Sequence, residues 1–268
     1  MSILVKIIVF LVFVTIVFFL YIKHLQTAAI FFPIKELETI PGDYPSAPHE
    51  ISIETDDEET LSAWFLSGKR PNYTLLYLHG NGGNISHRLD KIEVLLKTGA
   101  NVFIVDYRGY GESTGKPSEK GLYLDAKAAY EHLNKIRIPG DKIILYGESL
   151  GGAVAIDLAT KFKTRAIIIE GAFSSAKDMG RIFYPFIPPI LLPDIFDSFS
   201  KIKEVNIPKL FIHSQDDEIV PFSLAEKLYE NATQPKKLIK TKGGHNSGYV
   251  DSFDLYLSSI YEFIAGLD

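Results

Sequence analysis

Cysteine is absent from the 268-residue chain. Disulfides, thiolate nucleophiles and cysteine zinc sites are therefore excluded, although the compartment is not thereby chosen. A basic block is lacking too. Lys and Arg number 28 against 33 Asp and Glu, a net charge of −5, so nucleic-acid binding has no electrostatic basis. Histidine is sparse, seven in all, and no two stand at a close HxxxH spacing; no metal site is expected. No internal repeat or low-complexity tract appears. What is present is apolar: 46% hydrophobic and 12% aromatic residues, enough for one large core. The length suits one domain, with or without an appendage.

The longest apolar run is at the amino terminus. Ile3 to Ile22 is interrupted only by Lys6, and about 20 such residues cross a bilayer as a helix. Lys6 lies near one end and can snorkel; Tyr21, Lys23 and His24 suit an interfacial rim. The run exceeds a usual signal-peptide core, and Thr27-Ala28-Ala29 is a poor cleavage site. Residues 1–24 are therefore expected to be an uncleaved, single-pass membrane anchor. The amino terminus and Lys6 before it balance Lys23 and Lys35 after it, so charge sets no orientation. Residues 25–48 form a juxtamembrane segment in which Ala29 to Pro33 either lies at the interface or docks on the domain. Pro41, Pro45 and Pro48 mark a linker from about Glu36. The soluble domain is expected at 49–268.

That domain opens with a hairpin, Glu50–Glu54 and Leu61–Leu66. Strand and helix then alternate. Thr74–Leu78, Asn101–Val105, Lys142–Tyr146, Ala166–Glu170, Lys209–His213 and Lys237–Lys240 read as strands. Helices are expected at Ser86–Leu96, Leu122–Leu133, the stretch after Gly152, Ser223–Glu230 and Val250–Ala265. Such alternation gives a mostly parallel sheet with helices on both faces. Residues 173–203 break the rhythm with a proline- and aromatic-rich insertion. It reads as an apolar cap that lines a pocket or touches the bilayer, or else as a proline-rich surface connection packed on the core.

Sites in such sheets form at the carboxyl ends of strands. Gly147-Glu148-Ser149-Leu150-Gly151 lies between a strand and a helix, and glycines two residues either side of Ser149 permit a sharp turn that lifts its hydroxyl above the sheet. A serine needs a base, and the base needs a carboxylate to orient it. His245 is the one histidine after Asp217. The acid is Asp217 or its neighbour Asp216, both following a late strand, with Asp217 preferred. An oxyanion needs main-chain donors: the amide of Leu150 and, from the Gly80-Asn81-Gly82-Gly83 loop, that of Asn81. The same loop read as a phosphate turn lacks the GxxxxGK[ST] pattern. His79 is expected to shape the loop, and Asp106, Arg108 and Glu112 to support the site without reacting.

Leu78-His79-Gly80-Asn81-Gly82-Gly83-Asn84, Asp106-Tyr107-Arg108-Gly109-Tyr110-Gly111, the Ser149 turn, His213 through Pro221 and Gly244-His245-Asn246 resemble the α/β-hydrolase superfamily. Within it the chain resembles the membrane-anchored serine hydrolases with an HGN-type oxyanion loop. The resemblance implies an α/β fold with a mostly parallel eight-stranded sheet and a lid at 173–203. It also implies a Ser149–His245–Asp217 triad, the acid lying four residues after His213, with no cofactor. Ser214 departs from the glycine common there and leaves Asp216 in play. The implied activity is cleavage of carboxylic ester or thioester bonds of a small-molecule or protein-linked acyl substrate, through an acyl-enzyme. A serine aminopeptidase-like peptidase and a non-catalytic lipid-binding protein of the same fold stand as alternatives.

Overall fold

The computed structural model describes residues 2–38, 48–69 and 71–267, without the side chains of 23–27. The rim side chains Lys23 and His24, and the linker prolines Pro41 and Pro45, lie outside the described residues.

Helix α1 (Ile3–Ala28) is continuous, and its apolar side chains from Ile3 to Tyr21 are exposed. Strand β1 (Phe32–Pro33) follows, then the hairpin β2 (His49–Glu54) and β3 (Thr60–Leu66), β4 (Thr74–Leu78), β5 (Gly82–Gly83), α2 (Leu89–Leu96), β6 (Asn101–Val105) and α3 (Glu119–Lys135). The second half runs β7 (Ile143–Glu148), α4 (Leu150–Lys161), β8 (Ala166–Glu170), α5 (Ala176–Phe183), α6 (Ser198–Ile202) and β9 (Lys209–Ser214). It closes with α7 (Phe222–Asn231), β10 (Lys236–Thr241), α8 (Gly248–Asp251) and α9 (Phe253–Ala265).

Eight of these strands form one sheet in the order β10-β9-β8-β7-β4-β6-β3-β2. Pairing is parallel except where β3 meets β2 and β6, which is the expected mostly parallel α/β sheet. Every residue of β4 and β7 is buried, because central strands are covered on both faces. Alternate side chains go to opposite layers. Leu76 and Leu78 of β4 join Leu122, Val154 and Leu228 on one side; Leu75 and Tyr77 join Ile92, Leu95 and Ile260 on the other.

Two helices differ from expectation, and the insertion divides between the two readings given for it. The helix expected at Ser86–Leu96 begins as a 3-10 turn, Ile85–Arg88, because Asn84 caps it and turns the chain. The closing helix is broken at Ser252, whose hydroxyl accepts from the Lys242 amide. The insertion is partly core: Phe196 and Ile202 are fully buried, and α6 packs on α4 and α7. Only its middle stands clear of the body.

The segment after α1 docks on the domain. β1 pairs in parallel with β5; the Phe32 amide donates to the Asn81 carbonyl at 3.0 Å and the Ile34 amide to that of Gly83 at 3.1 Å. Phe31 is buried edge-on against Phe196. Asn84 Nδ2 donates to the carbonyls of Ile34 and Glu36 at 3.0 and 2.7 Å. The folded body therefore begins before the His49 boundary expected from the prolines. A burying aromatic and a Gly-Gly edge with free main-chain groups outweigh local linker composition.

Candidate active site

Ser149 joins β7 to α4 with φ 53° and ψ −116°, a region that a non-glycine residue occupies only under constraint. The turn is held by the Ser149 amide donating to the Glu170 carbonyl at 2.8 Å. It also needs its glycines. A Cβ on Gly147 would lie 2.6 Å from the Gly151 carbonyl oxygen, and one on Gly151 would collide with the Leu78 carbonyl oxygen.

Residues distant in sequence converge on this hydroxyl. Ser149 Oγ lies 3.1 Å from His245 Nε2, and His245 Nδ1 lies 2.7 Å from Asp217 Oδ2. Asp216, the other candidate acid, is exposed; its Oδ2 accepts from the Gly243 amide at 3.4 Å. The Asp217 side chain is fixed by amides of its own loop, accepting from Ile219 at 2.9 Å and Val220 at 2.7 Å. Burial alone would raise its carboxyl. The hydrogen bond and charge of His245, with the Val220 amide, hold it below the usual carboxylate value. Asp217 is thus an anion facing an imidazole. Beneath it, buried His213 donates from Nε2 to the Val220 carbonyl at 2.8 Å, and burial pushes its pKa down. His213 serves as a neutral floor to the acid loop.

The loop opposite Ser149 is equally constrained. The Asn81 side chain donates to the Ile30 carbonyl at 2.9 Å, and the Asn81 carbonyl accepts from Tyr110 Oη at 2.8 Å. Among the described residues no acceptor pairs with the Asn81 main-chain amide. The Leu150 amide is the first of α4, and a helix leaves its first amides without intrahelical acceptors. His79 is fully buried, with Nδ1 2.7 Å from the Gly80 carbonyl and its ring against Tyr107 and Tyr110. Asp106 accepts from the Ile85 amide at 2.9 Å, and Arg108 pairs with Asp57 and Asp125 at 2.7 and 2.8 Å. Both side chains hold loops, and among the described residues neither hydrogen-bonds Ser149 Oγ.

Sequence reasoning missed the charge cluster beneath the turn. Parallel pairing of β7 and β8 sets Glu148 beside Glu170. Buried Lys91 bridges them at 2.7 and 3.0 Å. Arg88 Nε donates to Glu148 at 3.1 Å while its Nη2 donates to the Gly82 carbonyl at 2.7 Å. Tyr77, Tyr146 and Tyr256 donate their hydroxyls to the same carboxylates. Burial opposes ionisation of Glu148, but the two cations hold its carboxyl far below its ordinary value. The available signal was a lysine among the apolar positions Leu89, Ile92 and Leu95 of α2.

Above Ser149 opens a cavity of about 520 Å³. Asn81, Ser149 and Leu150 supply its polar floor; Phe183, Ile187 and Leu192 of the insertion form a roof, and Ile22 and Ile30 one wall. The space is apolar and adjacent to a hydroxyl with a base, which suits an acyl chain whose carbonyl carbon meets Ser149. Among the described residues no group of three or more His, Asp or Glu is placed to hold a metal ion.

A protein family described as "Serine aminopeptidase, S33" matches residues 69–193. The protein bem46 of Schizosaccharomyces pombe is 36% identical over 252 residues, covering 88% of this chain and 84% of that protein. The α/β hydrolase domain-containing protein 17B of Xenopus laevis is 34% identical over 196 residues, 72% of this chain and 66% of its own. Among solved structures, a Pyrococcus furiosus esterase superposes with a TM-score of 0.72 at 21% identity, covering 89% of this chain and 98% of its own.

Proposed function

Because the chain belongs to the α/β-hydrolase superfamily, we propose that it is a membrane-anchored serine hydrolase. It cleaves carboxylic esters or thioesters of acyl-chain substrates through Ser149, His245 and Asp217. The observation that carries this reading is the unbroken series from Asp217 Oδ2 through the His245 ring to Ser149 Oγ, at 2.7 and 3.1 Å, on the floor of an apolar cavity.

The chemistry follows from those positions. Ser149 Oγ attacks the acyl carbonyl carbon as His245 Nε2 takes its proton. Asp217 holds Nδ1–H and stabilises the imidazolium. The oxyanion is received by the main-chain amides of Asn81 and Leu150. Collapse expels the alcohol or thiol, which leaves with the proton from His245. Water, deprotonated by the same nitrogen, attacks the acyl-enzyme, and the carboxylic acid departs as Ser149 recovers its proton. Helix α1, with its 20-residue apolar run exposed, anchors the enzyme in a bilayer.

The family description raises aminopeptidase activity as a second reading. A peptidase selecting a free amino terminus needs a carboxylate near the cleaved bond. Among the described residues lining the cavity none is Asp or Glu, which favours esters. Turnover of p-nitrophenyl esters of graded chain length is the test: wild-type protein hydrolyses them and Ser149→Ala does not. A folded wild-type protein that cleaves aminoacyl amides but no ester would refute the ester reading.

A further inference from the structure

Two apolar spaces meet at the mouth of the site. Ile22 and Leu191 bound the cavity above Ser149, and the same two residues bound a groove of about 450 Å³ between α1 and the insertion. The groove's other walls include Ile16, Phe19 and Leu20 of α1 and Ile190 at the tip of the insertion. The tip is turned outward: Ile190 is 90% exposed and Phe186 98%. From Ile182 to Pro193 the insertion carries no charged side chain, whereas Arg181 and Asp194 bracket that run. Ile16 precedes Ile22 by two helical turns less one residue, about 9 Å along the axis at the usual rise. The groove therefore runs along the last two turns of the apolar run, and Ile190 borders it beside α1. An exposed apolar patch of this kind marks a contact surface, and the helix beside it specifies lipid.

Resting on the readings of α1 as a bilayer span and Ser149 as acyl acceptor, we propose that the tip of the insertion is embedded in the bilayer beside α1. The place where the two spaces meet, bordered by Ile22 and Leu191, is then a lateral portal that admits an acyl chain from the membrane to the cavity. The substrate class is an ester or thioester whose chain resides in lipid and whose carbonyl reaches Ser149 without the chain crossing water. Arg181 and Asp194 mark the level of the headgroups, where charged side chains are tolerated.

The cysteine-free chain makes the test direct, since one introduced cysteine takes one nitroxide. Full-length protein in phosphatidylcholine vesicles is labelled at Ile190→Cys, at Ile16→Cys as a span reference, and at exposed Asp141→Cys as an aqueous reference. The label at 190 is expected to match that at 16, open to oxygen and closed to a water-soluble nickel chelate. Access at 190 equal to that at 141, with 16 protected, overturns the proposal. Chelate access at 16 overturns the bilayer reading of α1, and the proposal falls with it. For the portal, Ile190→Asp is expected to slow hydrolysis of a long-chain ester embedded in the vesicles by about tenfold or more, with p-nitrophenyl acetate turnover within about twofold of wild type. Unchanged hydrolysis of both esters overturns the portal. Wild-type protein inert toward both refutes the hydrolase reading itself, a failure distinguishable from a water-facing tip.

Discussion

Replacing Lys91 with Met removes the cation that two buried carboxylates share. Its ammonium, almost wholly buried, lies 2.7 Å from Glu148 and 3.0 Å from Glu170. Methionine fills a similar volume, so packing is nearly conserved and the loss is electrostatic. Breaking a buried ion pair at one partner costs about 3–5 kcal/mol, a large share of the roughly 5–15 kcal/mol that holds a domain together. At about 2–4 °C per kcal/mol for a domain of this size, the midpoint of thermal unfolding should fall by roughly 6–20 °C. The pH dependence carries the sharper signature. In the wild type the Glu148 carboxyl lies below its ordinary 4.5, so its contribution is present above that value and lost as pH falls through the folded pKa. Without Lys91, Arg88 is the one cation left among the described residues to oppose burial of Glu148, and the folded pKa moves upward. The variant then loses stability as pH rises, and its deficit relative to wild type should shrink as pH is lowered from about 7 to about 5. Differential scanning calorimetry of both proteins in the same detergent across that range is the assay. A deficit under about 1 kcal/mol at pH 7, or one that does not change with pH, would refute the assigned role of Lys91.

Asp217→Asn keeps the shape of the acid but presents an amide to His245 Nδ1, favouring the wrong tautomer; kcat should fall by about 10⁴-fold while circular dichroism stays native, and a loss under tenfold would remove Asp217 from the mechanism. Gly151→Ala drives a methyl into the Leu78 carbonyl and should abolish labelling by an active-site probe through distortion of the turn; full labelling would show that the turn relaxes freely. Phe31→Ala deletes a buried ring that packs on Phe196 and should cost about 3–5 kcal/mol in urea unfolding, whereas a neutral result would detach the segment after α1 from the folded body.

Much of the scaffold was legible in the sequence because its signals are local. β-branched runs, glycine-bounded turns and strand–helix alternation each depend on neighbouring residues, and the strands at 74–78, 101–105 and 166–170 fall where those runs predict. Ser149, His245 and Asp217 were nameable as candidates because chain order and turn position restrict the choices to very few. Sequence does not show which of Asp216 and Asp217 turns toward His245; in the fold the Ile219 and Val220 amides turn Asp217 that way. Legibility failed where long-range pairing governs. Nothing near Phe32 announces Gly82 as its partner, and nothing in α2 announces that Lys91 meets Glu148 and Glu170. Helix periodicity instead marks Lys91 as an anomaly on an apolar face, and its explanation comes from two strands brought into register. The insertion was located by composition, but composition does not separate its buried residues, Phe196 and Ile202, from the exposed Phe186 and Ile190.

The central claim is that Ser149, raised by its turn and served by His245, is the nucleophile. Full-length protein in vesicles is treated with an alkyl fluorophosphonate, digested, and mapped by mass spectrometry. One phosphonyl adduct on the peptide containing Ser149 is expected, absent from Ser149→Ala and strongly reduced in His245→Ala. A folded, unlabelled wild-type protein, or an adduct on another residue that persists in Ser149→Ala, would contradict it.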